Sequence, residues 1–122
     1  MAQYVDFKAP IISAGGNKLN KLRVMVDYQK GGINYFSGEF SESGVFVYLT
    51  PCSYENGIIG TTISGDINKD GYKILLKPLS RKSQKQISLM AEKIMPHAKE
   101  LADLFEAKNH KGVFDLVKAL TV

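Results

Sequence analysis

Asp66, Asn68 and Asp70 stand two residues apart and are followed by Gly71. Oxygen donors at the first, third and fifth positions, with glycine at the sixth, open a calcium-binding loop. The match stops there. The twelfth position, where a bidentate glutamate closes the coordination sphere, is Lys77, and the eighth, ordinarily apolar, is Lys73. A cation in this loop would lack two carboxylate oxygens and face an ammonium group. The stretch is read instead as a polar turn ending in Asp70-Gly71 ahead of a strand, with no metal bound.

The other reactive side chains are scattered. His97, His110 and the single Cys52 share no metal-site spacing. His97 is expected on a helix flank. His110 is expected at a helix end, where a cation would complement the dipole. Cys52 follows Pro51 at an expected strand end and has no basic neighbour in sequence. It reads as a small buried residue, not a nucleophile. No Ser-His-Asp set, nucleophile elbow, phosphate-loop glycine pattern or HExxH occurs. No catalytic residue, metal or cofactor is therefore assigned, and the chain is read as non-enzymatic.

Charge is the stronger signal. Residues 69–99 hold eight cations against two carboxylates, a surplus of six, whereas the segments on either side each sum to −1. The net charge of +4 is made in this one segment, and an anionic partner is one reading of it. The single cysteine excludes an internal disulfide and fits a reducing compartment. No run reaches the ~20 apolar residues of a spanning helix, and the N-terminus lacks a signal-peptide pattern. A cytoplasmic protein with no membrane association is expected.

The elements that position these residues follow from apolar periodicity. Residues 1–20 read as an N-terminal arm whose Tyr4, Val5, Phe7, Ile11 and Ile12 pack on a neighbour or form a short edge strand, and residues 21–122 as one α+β domain. Residues 22–28 alternate, with Leu22, Val24, Val26 and Tyr28 on one face and Arg23, Met25 and Asp27 on the other. Lys30-Gly31-Gly32 is a turn, and residues 33–40 are a returning strand interrupted at Gly38. Residues 45–50 form the most apolar strand, ended by Pro51. Residues 53–64 are an irregular arm or an extra hairpin. Residues 72–79 are a further strand, with Tyr72, Ile74 and Leu76 opposite Lys73, Leu75 and Lys77.

Ser83 and Gln86 match a capping box, opening a helix over residues 83–105. Ile87, Met90, Ile94, Ala98, Leu101 and Phe105 form its apolar stripe. Pro96 predicts a kink near residues 92–95 or a break into two helices, and the unbroken phase of the stripe favours the kink. Asn109 to Gly112 mark the end of this helix. Val113, Leu116, Val117 and Leu120 describe a short terminal helix. The fold class is an antiparallel four-stranded meander packed on a long C-terminal helix plus this short one.

If the apolar strand faces meet the helix stripe, the opposite sheet face shows Arg23, Met25, Phe46, Tyr48, Lys73 and Lys77. The strand at 33–40 adds Tyr35, or Asn34 and Phe36. Rings interleaved with cations suit single-stranded nucleic acid, because rings stack on bases and cations track phosphates. Arg23, Lys30, Lys73, Lys77, Arg81, Lys82 and Lys85 are the candidate phosphate contacts. Tyr35, Phe36, Phe46 and Tyr48 are the candidate stacking residues. The competing reading covers the rings with another segment or a second subunit and leaves the lysines as a solvated rim.

The element order over residues 20–106, four antiparallel strands and then a long helix, resembles the Pur-alpha and Whirly type of single-stranded nucleic-acid-binding domain. The Lys-Gly-Lys-Ala motif of Whirly proteins is absent, and the loop at 51–71 is longer than the plan requires. The resemblance implies a homodimer with single-stranded DNA or RNA on an exposed sheet surface. A protein-interaction or structural accessory module, of phage or mobile-element type, is the alternative. An unrecognised enzyme or small-ligand binder is a third.

Overall fold

Alternating apolar residues put two strands at the centre of the fold. The computed structural model describes residues 2–12, 16, 18–29, 43–55, 58–61, 72–78 and 84–121. In it, β2 (Lys18–Gln29) and β3 (Gly44–Glu55) pair antiparallel from Lys21↔Cys52 to Gln29↔Gly44. Leu22, Val24, Val45, Val47 and Leu49 are fully buried and Val26 nearly so. They share one face, because strand side chains alternate and cross-strand partners point the same way.

The remaining strands extend this pair. β1 (Ala2–Ile12) pairs antiparallel with the outer edge of β2. The other edge of β3 is shared. β5 (Tyr72–Pro78) takes its first half, from Gly44 to Leu49. β4 (Ile58–Thr61) takes its second half, from Cys52 to Glu55. The result is an antiparallel meander sheet in an α+β fold.

Several expectations change at this level. The stretch read as an arm supplies a full edge strand. The expected strand at 33–40 and the capping serine Ser83 lie outside the described residues, and β2 pairs directly with β3. Pro51 does not end its strand; it pairs with Leu22 in the middle of β3. On the other edge of β3 it falls between the last partner of β5, at Leu49, and the first partner of β4, at Cys52. A missing N–H on that edge interrupts no ladder among the described strands. Of the two readings for residues 53–64, the hairpin is the observed one, with Glu55 paired to Ile58.

The helices lie on the apolar face of the sheet. α1 (Gln84–Ile94) packs on β2, α2 (Ala98–Glu106) on β1, and α3 (His110–Thr121) on β5 and both other helices. Ile87, Ala91, Ile94, Ala98, Leu101 and Ala102 are buried against the strands, joined by Val113 and Val117. None of the described helices is long and apolar enough to cross a membrane.

Of the two outcomes expected at Pro96, the break is the observed one, although the phase of the stripe favours the kink. A 3-10 turn at Met95–His97 separates α1 from α2. Proline lacks the donor that the turn before it would use, and its ring crowds the carbonyl four residues back. The apolar stripe nevertheless keeps its phase, with Ile94 and Ala98 both buried.

α2 ends in a Schellman motif. Asn109 N–H donates to Leu104 O at 2.9 Å and Lys108 N–H to Phe105 O at 3.0 Å. Lys108 sits in the left-handed region at φ 56, where glycine is the usual residue. Asn109 then caps α3, its Oδ1 accepting from the Gly112 N–H at 3.0 Å. Gly112 therefore lies inside the first turn of α3 and does not end the preceding helix. His110 stands at the start of α3, where the helix dipole disfavours a cation, contrary to expectation.

Two substitutions at this junction should differ in effect. Lys108→Gly should stabilise by ~0.5–1 kcal/mol, since a left-handed residue with a Cβ is strained. Gly112→Ala should bring little or no net change, because the ~1 kcal/mol that alanine ordinarily gains over glycine in a helix is offset by the ~1 kcal/mol of the side-chain cap it displaces. A Cβ there would stand 2.7 Å from Asn109 Nδ2 and 2.9 Å from Leu104 Cδ2. Chemical denaturation of the two variants beside the wild type measures both.

Candidate nucleic-acid interface

The sheet face turned away from the helices carries the odd-numbered residues of β2 and the even-numbered residues of β3. Its rows are set by register. Arg23 pairs with Thr50, Met25 with Tyr48 and Asp27 with Phe46. Tyr48 pairs in turn with Lys73, and Phe46 with Leu75. The structure thus brings together four of the residues predicted to bind: Arg23, Phe46, Tyr48 and Lys73.

These four make a compact cluster. Lys73 Nζ stands 4.5 Å from the Phe46 ring centroid, within the range of a cation–π interaction. The Phe46 and Tyr48 rings lie 6.1 Å apart, tilted by 46°, an ordinary aromatic pairing. Arg23 Nη2 lies 3.0 Å from Met25 Sδ, while Arg23 Nε is buried with no acceptor among the described residues. Burial pushes the Tyr48 hydroxyl pKa up, and the Asp27 carboxylate adds to the rise. Burial pulls the Lys73 pKa down; the negative face of the ring opposes that loss of charge.

Phe46 is 5% exposed. Its ring cannot receive a base, and its part in the cluster is to seat the Lys73 ammonium. Tyr48 is half-buried and Lys73 exposed. Leu19, Thr50 and Cys52 are also buried on this face, so the apolar interior of the protein is not confined to the helix side.

The other predicted contacts are not gathered here. A bulge sets one extra β5 residue, Leu76, between the partners of Phe46 and Val45, so Lys77 pairs with Val45. Lys73 and Lys77 are therefore out of phase, the first opposite Tyr48 and the second opposite a core residue. Lys85 is exposed on α1, in the layer packed on the opposite face of the sheet. Lys30, Tyr35, Phe36, Arg81 and Lys82 lie outside the described residues, as do residues 66–71 of the calcium pattern.

The structure adds residues that the sequence did not bring forward. Tyr4 of β1 pairs with Arg23, and Asp6 with Lys21. Lys21 Nζ and Asp6 Oδ1 form an ion pair at 2.5 Å. The signal for these was the alternation of Tyr4, Val5, Asp6 and Phe7, masked by the mixed polarity of the arm. Cys52, which had no basic neighbour in sequence, faces two in space, Arg23 and Lys21. Burial still outweighs them and holds the thiol pKa above its ordinary value. Its sulfur is thus neither exposed nor activated.

Away from this face, His97 Nδ1 lies 3.0 Å from Glu100 Oε1, and His110 Nε2 lies 3.5 Å from the Tyr72 hydroxyl. Among the described residues no three His, Cys, Asp or Glu side chains group to hold a metal. No family profile, curated protein or solved structure matches this chain.

The seating of Lys73 on Phe46 has a measurable signature. A double-mutant cycle of Phe46→Leu and Lys73→Met should give a coupling of ~0.5–1 kcal/mol at neutral pH. Because the Lys73 pKa is lowered, the ammonium is lost before the pH reaches the ordinary lysine value of 10.5, and the coupling should vanish with it. Denaturant unfolding at neutral and alkaline pH reads both terms.

Proposed function

We propose that this protein binds single-stranded nucleic acid, without catalysis, on the sheet face opposite its helices. The observation that supports this most is the Lys73–Phe46–Tyr48 cluster, flanked by Arg23. A buried ring fixes an exposed ammonium beside a half-buried tyrosine. Such spacing suits a strand whose phosphate meets the cation while a base meets the neighbouring ring.

In this reading the roles differ from the simple list of rings and cations. Lys73 and Arg23 contact phosphates. Tyr48, with Tyr4 beside Arg23, offers stacking surface. Phe46 positions Lys73 and touches no base. Lys21 contributes little net charge, because Asp6 neutralises it. Lys30, Arg81 and Lys82 are proposed as further phosphate contacts, and Tyr35 and Phe36 as further stacking residues. The proposal includes a homodimer, as the element order implies, and a cytoplasmic location, consistent with a lone buried thiol.

Fluorescence anisotropy with labelled oligonucleotides tests the reading. Single strands should bind more tightly than duplex. Lys73→Ala should weaken binding and flatten the dependence of log K on log salt by ~0.7, one released counterion on a single strand. Tyr48→Ala, shown to be folded by circular dichroism, should cost ~1–3 kcal/mol with the salt slope unchanged, because stacking releases no ions. Absence of oligonucleotide binding by the wild type at low salt would overturn the proposal and leave this face as a protein contact.

A further inference from the structure

On the opposite side of the sheet, a groove of about 610 Å³ runs between α1 and the N-terminal half of β1. Its floor is apolar, made by Val26, Ile87, Ala91 and Met95. Gln3 of β1 borders one side, with Ser88 and Glu92 of α1 on the other. The size falls within the range of ligand-binding clefts.

The two helices on either side of the break meet different strands. α2 packs on β1 and fastens its C-terminal half: Phe105 stacks on Phe7 with centroids 6.0 Å apart. Glu106 Oε1 accepts the Lys8 and Ala9 N–H groups at 2.7 and 3.5 Å. α1 instead packs on β2. The 3-10 turn at Met95–His97 separates the two helices, and on the α1 side β1 borders the groove at Gln3.

β1 is the edge of the sheet, paired with β2 alone among the described strands. We infer that the groove is a docking site for an extended peptide from a partner protein. The peptide would add a strand to β1, place an apolar side chain against Ile87 and Ala91, and bring a lysine or arginine to Glu92. An edge strand beside a groove selects extended backbone, since main-chain hydrogen bonds supply affinity and the pocket reads alternate side chains.

Charge selects the partner. Glu92 is the one ionised side chain among the described residues of the lining, so a cation complements it. A second copy pairing through the same half-strand would bring Ala2 to Phe7, whose only charge is Asp6. That sign is wrong for Glu92.

A random-peptide display library panned against the wild type is the test. Enriched sequences should combine alternating apolar residues with a lysine or arginine. Titration calorimetry of the winning synthetic peptide should show a loss of at least about tenfold in Ser88→Trp, which fills the groove from an exposed position. A similar loss is expected when alternate peptide amides are N-methylated, which removes strand pairing. Panning against Glu92→Lys should turn the preference to acidic residues, and this readout stands if Ser88→Trp fails to fold. Equal binding by Ser88→Trp, indifference to N-methylation, or no enrichment over a blank surface would each overturn the inference. So would a concentration-dependent dimer that Ser88→Trp abolishes, since the occupant would then be a second copy. Oligonucleotide binding should be unaffected by Ser88→Trp, which separates this site from the face proposed above.

Discussion

Register between β2 and β3 is the constraint on which the rest depends. Val24 and Leu49 are paired and fully buried, as are Val47 and, nearly so, its partner Val26. Side-chain period in a strand is two, so a slip of one residue would exchange the whole buried set for Arg23, Met25 and Asp27. Burying the Arg23 and Asp27 charges without partners costs a large share of a domain's marginal stability. The same register also writes the outer face. Once Val24 must meet Leu49, Met25 must meet Tyr48 and Asp27 must meet Phe46. The candidate interface is thus a by-product of core packing, not a separately specified arrangement.

Local irregularities then give this regular centre its shape. The bulge at Leu76 changes the phase of β5 next to the helices. The register of β1 shifts between Asp6 and Ile11, around Pro10, a residue suited to an edge strand. In that irregular stretch the Lys8 and Ala9 amides turn to Glu106. At the far end of α2, Tyr72 makes edge contacts with Phe105, His110 and Phe114 at 5.3–5.6 Å. One ring from β5 thereby contacts both helices of the α2–α3 junction.

Much of this was legible in the sequence where a single period dominated. The faces of β2 and of residues 45–50, and the stripe from Ile87 to Leu101, follow from counting twos and threes and fours. So do the buried Val113 and Val117 of the last helix. Reading failed where one residue changes phase or where a long-range partner decides. Pro51 looks like a strand end until its place between β4 and β5 is known. Lys77 looks like the companion of Lys73 until Leu76 is counted as extra. Gly112 looks like a helix stop, and only the Asn109 side chain reveals it as part of a start. The candidate site was legible as a set of residue types on one face. Alternation assigns a face without saying what covers it, so exposed and covered rings were both open readings, and Phe46 follows the covered one.

The burial of Cys52 has a further consequence. Its thiol is wholly inaccessible and is the only one in the chain. It sits at the point of β3 where Lys21 of β2 and Thr61 of β4 both pair with it. A thiol reagent can reach it only when the strands around it separate. Where reclosing outpaces labelling, the labelling rate reports the equilibrium population of that opening. The chain therefore carries a native clock for the breathing of its own sheet, readable one sulfur at a time and without any engineered label.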